Sequence, residues 1–182
     1  MKVLFVNPPF KAEYGKYSRE ARSAMITNSG VIYYPLWLLY AAGVTQEAGF
    51  EVDFLDAPAK QMNFEKSIKW IKEKNNDYGL IVLDTSTPSI YNDVKFGAKL
   101  KELFPKAFVV LMGTHPTALP EETLKLNDNI DGIAKGEADY IIRDLAIALN
   151  KGESLETVKG LVYRKDGEIK INEEMPLTYG SR

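Results

Sequence analysis

The chain has 182 residues, 45% of them hydrophobic, which is ample for one buried core with at most a small appendage. Lys and Arg number 23 against 25 Asp and Glu, and no long run of one sign suggests a nucleic-acid groove or an anionic membrane surface. No cysteine is present, which excludes disulfides, thiolate catalysis and any iron–sulfur cluster held by this chain itself.

The amino terminus, MKVLFVNPPF, reaches its prolines too soon for a signal-peptide core, and no stretch approaches the roughly 20 apolar residues of a spanning helix. A cytoplasmic protein is expected. Five short apolar runs follow in chain order, at 2–6, 51–56, 80–84, 107–113 and 130–134. Most lack alternation, as expected of parallel strands covered on both faces. Between them lie helical stripes: Leu36, Leu39, Tyr40 and Gly43; Phe64, Ile68 and Ile71; Ile90, Val94, Gly97, Leu100 and Phe104; Ile141, Leu145 and Leu149. Gly49 and Pro105 stop the first and third helices, and PEETLKL reads as a short helix opened by Pro120. After residue 150, VKGLVYRKDGEIKIN reads as two strands around a turn at Lys165, Asp166 and Gly167.

This pattern predicts an α/β fold: a doubly wound, five-stranded parallel sheet of flavodoxin-like order 2-1-3-4-5, with a C-terminal β-hairpin appendage. Residues 1–150 form the Rossmann-like domain, and 151–182 the hairpin and the start of a linker, because EEMPLTYGSR is polar and carries no core element. In such sheets ligands sit beyond the carboxyl ends of the strands, so the loops at 7–34, 84–89, 112–119 and 135–138 carry the function.

The first of these loops is far longer than the about 2–6 residues usual between strand and helix. It holds Tyr14, Tyr17, Arg19, Arg22, Tyr33 and Tyr34, suited to a large flat ligand with a polar edge, or else it is a surface excursion. Dinucleotide and Walker patterns are absent, and Asn7-Pro8-Pro9 lacks the amide hydrogens that cradle a pyrophosphate. A phospho-acceptor receiver domain is the alternative, with Asp84, Thr114 and Lys135 after successive strands, but the carboxylates that hold its magnesium after the first strand are missing. Thr85, Ser86 and Thr87 either cap a helix or lie beneath a ligand. Gly113 either eases a turn or lets a ligand approach the backbone.

Four stretches, PLWLLYAAGVTQEAGFEVDFLDA, DTSTPSIYND, VVLMGTHPTALPEE and DGIAKGEADYIIRDLAIAL, together resemble the cobalamin-binding domain at the amino end of radical S-adenosylmethionine enzymes. The closest resemblance is to the anaerobic magnesium-protoporphyrin IX monomethyl ester oxidative cyclase family, and PTALPEE after a strand-ending glycine is its most specific part. The resemblance implies a module that binds cobalamin (vitamin B12) at the strand carboxyl ends. The iron–sulfur 4Fe-4S cluster and S-adenosylmethionine would then belong to a catalytic domain in cis outside this sequence, of oxidative cyclase or methyltransferase type. It implies cofactor contacts from Asn7, Pro8, Thr85, Ser86, Thr87, Gly113, Thr114, His115, Gly136 and Glu137, with no catalytic residue and no protein ligand to the metal ion.

The last point rests on a departure from a better-known pattern. Methionine-synthase-like domains carry D-x-H-x-x-G after the first strand, whose histidine ligates cobalt from below. Residues 7–34 here contain neither histidine nor aspartate. His115 is the sole imidazole of the chain and matches the histidine of a glycine-glycine-proline-histidine stretch in the family, with varied neighbours. It is read as a structural or ring-edge hydrogen-bonding group rather than a ligand.

Overall fold

A computed structural model describes residues 1–11, 16–19, 25–27, 31–74 and 77–176. Its strands and helices alternate as β1 (Lys2–Asn7), α1 (Leu36–Glu47), β4 (Glu51–Asp56), α2 (Phe64–Lys74), β5 (Leu80–Thr85), α3 (Ile90–Leu103), β6 (Phe108–Gly113), α4 (Thr114–Ala118), α5 (Pro120–Lys125), β7 (Gly132–Ala134) and α6 (Ala138–Lys151). A short antiparallel ribbon, β2 (Lys16–Ser18) with β3 (Met25–Thr27), lies within the first loop, and β8 (Leu161–Lys165) with β9 (Glu168–Ile171) ends the chain. Tyr14, Arg22 and the final residues 177–182 lie outside the described residues.

The parallel strands run β4-β1-β5-β6-β7, the order expected. β5 is buried along its whole length and β1 nearly so, which is why their apolar runs do not alternate. The hairpin continues the same sheet: β8 pairs antiparallel with β7 through Ile133 and Val162, so the sheet has seven strands. Its turn places Asp166 and Gly167 both at positive φ, as a two-residue hairpin requires.

Helices cover both faces. Ile71 of α2 and Val94, Phe96 and Leu100 of α3 pack on one side with Leu4, Ile81 and Val109. Leu38, Ala41 and Ala42 of α1 and Ile141, Ile142 and Leu145 of α6 pack on the other with Val3, Phe5 and Val82. The stripes read for the second, third and last helices all face the sheet, those of α2 and α6 with some partly buried members. In α1 the reading is inverted. The buried face is Leu38, Ala41, Ala42 and Thr45, whereas Leu39, Tyr40 and Gly43 face outward. Small Ala41 and Ala42 let α6 approach α1 closely, and the bulkier stripe is turned away from it.

This topology brings the carboxyl ends of β1, β5, β6 and β7 to one edge. The sheet reverses direction of growth between β1 and β5, the switch point where a crevice opens. No helix among the described residues is long and apolar enough to cross a membrane.

Candidate cofactor site

A buried polar network fills the switch point. Asn7 ends β1, and its side-chain amide donates to Asp56 Oδ1 at 3.0 Å while its carbonyl oxygen accepts from Arg19 Nη1 at 2.7 Å. Arg19 Nη1 also donates to the Pro8 carbonyl, at 2.9 Å. The other edge of the guanidinium pairs with Asp93 on α3, with Nη2 to Oδ1 at 2.5 Å and Nε to Oδ2 at 3.3 Å. Both side chains are closed to solvent, at 1% and 0% exposure.

Asp93 is satisfied from several directions, as a buried carboxylate must be. Oδ2 accepts from Thr85 Oγ1 at 2.8 Å and Ser89 Oγ at 2.5 Å, and Oδ1 accepts from Asn92 Nδ2 at 3.3 Å. Ser89 Oγ lies 3.0 Å from Ser86 Oγ, which lies 2.6 Å from the Tyr17 hydroxyl. A hydroxyl donates only once, and a carboxylate only accepts. The chain therefore runs in one direction, from Tyr17 to Ser86 to Ser89 to Asp93. Tyr17 also stacks on Phe10 with ring centroids 4.2 Å apart, and the Arg19 guanidinium lies 5.1 Å from its ring centre. The described part of the first loop is thus pinned across the ends of β1 and β5.

Nine of the ten expected site residues separate into two layers, and the tenth, Gly113, is partly buried at the end of β6. Asn7, Pro8, Thr85 and Ser86 are buried, with Asn7, Thr85 and Ser86 spending their side-chain hydrogen bonds inside the protein. Thr87, Thr114, Gly136 and Glu137 are exposed, and half-buried His115 stands with them on the rim. His115 lies on α4, a short helix where the sequence predicts a loop, and its Nδ1 is 3.2 Å from Thr87 Oγ1. That contact joins the β5 and β6 loops. The Gly136 amide donates to Thr117 Oγ1 at 3.2 Å, joining the β7 loop to α4. Ser86 also stands at the N-cap position of the 3₁₀ turn Thr87–Ser89, its amide donating to Ser89 Oγ at 3.4 Å.

The two glycines differ. Gly113 pairs with Thr85 across β5 and β6, at φ +116, and a Cβ there would stand 2.1 Å from the Thr85 carbonyl oxygen. The close approach that requires glycine is therefore already made by a neighbouring strand. Gly136 has φ +109, and a Cβ on it would meet nothing within 4 Å. The space beside Gly136 is open on the rim, where a ligand has room to approach the backbone.

Burial raises the pKa of Asp56, against the opposing effects of the Ala59 amide, Asn7 and Arg19. A raised folded value means that the folded state holds the proton more tightly than the unfolded chain. This contribution to stability is present below the unfolded value of 3.8 and is lost as pH rises through the folded value. Asp56→Asn keeps an oxygen to accept from Asn7 and Ala59. Urea denaturation at stepped pH is expected to show that decline above 3.8 in the wild type and to show it flattened in the variant.

The receiver alternative finds no support in this geometry. Lys135 pairs with Glu174 at 2.8 Å, and among the described residues no group of three or more acidic or histidine side chains is placed to hold a metal ion.

A flavodoxin-like sheet with a polar crevice at its switch point defines a ligand-binding domain of the doubly wound class. The profile of the B12 binding domain matches residues 22–146, and the chain belongs to that family. It is 32% identical over 97% of its length to an uncharacterized methyltransferase of Pyrococcus horikoshii, covering 36% of that protein. It is 28% identical over 93% of its length to the anaerobic magnesium-protoporphyrin IX monomethyl ester cyclase of Cereibacter sphaeroides, covering 26% of it. The chain thus spans about a third or less of these two relatives. Among solved structures, it superposes with a TM-score of 0.73 at 17% identity on the radical S-adenosylmethionine methyltransferase TsrM of Kitasatospora setae with cobalamin and a 4Fe-4S cluster bound, over 95% of this chain and 31% of that one. The cobalamin-dependent S-adenosylmethionine radical enzyme OxsB with aqua-cobalamin and S-adenosylmethionine bound gives 0.72 at 17% identity, over 97% and 23%. At these identities the two structures establish the shared fold.

Proposed function

We propose that this chain is the cobalamin-holding module of a larger, cytoplasmic radical S-adenosylmethionine enzyme. The match to the B12 binding domain over residues 22–146 carries the reading. The cobalamin and iron–sulfur chemistry named for the relatives comes to this chain only as part of that proposal. The absence of cysteine supports placing the cluster and S-adenosylmethionine in a separate domain in cis, because a cluster needs thiolates. A methyltransferase or oxidative cyclase is the class of enzyme to which the relatives point.

The residues fit a corrin at the strand carboxyl ends in two ways. Open space beside Gly136 admits a bulky group, and Thr87, Thr114, His115 and Glu137 supply polar atoms around the same rim. Asn7, Pro8, Thr85, Ser86 and Gly113 serve beneath, holding the rim loops in register. When bound, cobalamin supplies a cobalt centre that carries a methyl group or an electron. The protein's part would be to orient the ring, with no D-x-H-x-x-G histidine after β1 to ligate the metal. Contact with Thr87 orients His115 through Nδ1 and leaves Nε2 as the nitrogen whose role, ring-edge or metal-ligating, the spectroscopy below decides.

Hydroxocobalamin mixed with the chain is expected to stay with the protein through gel filtration, and loss of its colour from the protein peak would overturn the proposal. After reduction to cobalt(II), the paramagnetic resonance spectra of wild type and His115→Ala are expected to be the same. Nitrogen splitting present in the wild type and absent from the variant would make His115 a ligand.

A further inference from the structure

Helix α1 is apolar on every side from Leu36 to Val44, before its polar last turn. Leu38, Ala41 and Ala42 are buried against the sheet and α6, while Trp37, Leu39 and Tyr40 on its other faces are 63%, 41% and 47% exposed. Tyr33 and Tyr34, immediately before the helix, are 59% and 64% exposed, and the rings of Trp37 and Tyr40 lie 6.2 Å apart. No charged residue occurs from Tyr33 to Gln46. Gly43 completes the outward stripe, and nothing stands within 4 Å of the place a Cβ would take. A helix hydrophobic on every side belongs in the interior of a larger structure, and a contiguous exposed aromatic patch marks an interaction surface.

We propose that this outward face of α1 is the docking surface for the cluster-bearing domain of the same polypeptide. The inference rests on the reading that such a domain exists in cis. Three observations select it as the occupant. The relatives extend well beyond the matched part, the chain covering 36% of the Pyrococcus protein and 31% of TsrM. The thiolates a cluster needs have no counterpart here. The patch begins at the amino end of α1, which topology places at the carboxyl end of β1, so its edge is continuous with the proposed cofactor rim. A domain seated on Tyr33, Tyr34 and Trp37 would reach over that rim. The small Gly43 leaves room for a partner backbone further along the helix.

Trp37 reports the docking once the other tryptophan is removed. In a Trp70→Phe background, acrylamide is expected to quench Trp37 several-fold less in the full polypeptide than in the 182-residue chain. Tyr40→Glu is expected to restore quenching in the full polypeptide while leaving the stability and hydroxocobalamin retention of the shorter chain unchanged. Equal quenching in the two proteins would overturn the proposal. So would a dimer of the 182-residue chain in sedimentation that Tyr40→Glu dissociates, since the occupant would then be a second copy. Loss of hydroxocobalamin from the shorter chain through Tyr40→Glu alone would also overturn it, by making the face part of the cofactor site. Failure of the unsubstituted chain to retain hydroxocobalamin would overturn the function proposed above, whereas the docking inference is decided by quenching and sedimentation.

Discussion

Asp93→Ala is expected to destabilise the chain by about 3–5 kcal/mol, the range for removing one member of a buried ion pair. The substitution strands the Arg19 guanidinium, 1% exposed, with only the neutral Asn7 and Pro8 oxygens to accept from it. It also takes the shared acceptor from Thr85 and Ser89. Set against a typical total of about 5–15 kcal/mol, this is a large fraction, and the thermal midpoint should fall by on the order of 10 °C. Arg19→Met is expected to cost less, because Asp93 then keeps Thr85, Ser89 and Asn92 as donors. The double variant should cost less than the sum of the two, since both act on one network. Urea denaturation of the four proteins measures all three quantities. A loss under about 1 kcal/mol for Asp93→Ala would mean that water reaches the pair and satisfies it.

Neither partner of that pair was legible from spacing. Arg19 sits within a long loop of polar and aromatic residues, and Asp93 lies in the first turn of α3, where an acid is read as a favourable charge at a helix amino end. Only the fold brings residues so far apart in the chain together. By contrast, β1, β5 and β6 were readable because burial on both faces imposes uninterrupted apolar runs, and the final hairpin because Asp166-Gly167 supplies two positive φ values. That the hairpin joins the main sheet was not readable, since its pairing with β7 depends on partners distant in the chain.

Helix α1 is the instructive case. Two apolar stripes overlap on it, Leu36-Leu39-Tyr40-Gly43 and Leu38-Ala41-Ala42-Thr45, and periodicity alone favours the bulkier one. Packing chooses the smaller, because α6 must come close. The unused stripe is then informative in its own right, as a face that a helix serving only this fold would not need to keep apolar. The site loops show the same limit. Thr85, Ser86 and Thr87 were recognisable as hydroxyls at a strand end, yet only the geometry separates Thr85 and Ser86, turned inward to Asp93 and Tyr17, from Thr87 on the rim.

Gly113→Ala is expected to be the other severe change, at about 3–5 kcal/mol. At φ +116 and ψ −174 the residue occupies a backbone region open essentially to glycine alone, a strain of about 1–3 kcal/mol for any other residue. The added Cβ would also stand 2.1 Å from a backbone oxygen of Thr85, which cannot withdraw without parting β5 from β6. Gly136→Ala separates these causes. It is also at positive φ, +109, but with open space around the Cβ, so a loss of about 1–2 kcal/mol is expected and the fold should survive. Denaturation curves that rank the two variants equally would show that strain, rather than the collision, governs both. The same pair bears on the cofactor. Loss of hydroxocobalamin by Gly113→Ala would follow from damage to the sheet and says little about the ligand. Gly136→Ala leaves the sheet intact, so weakened retention in that variant, at unchanged fold, would place the corrin against the β7–α6 loop.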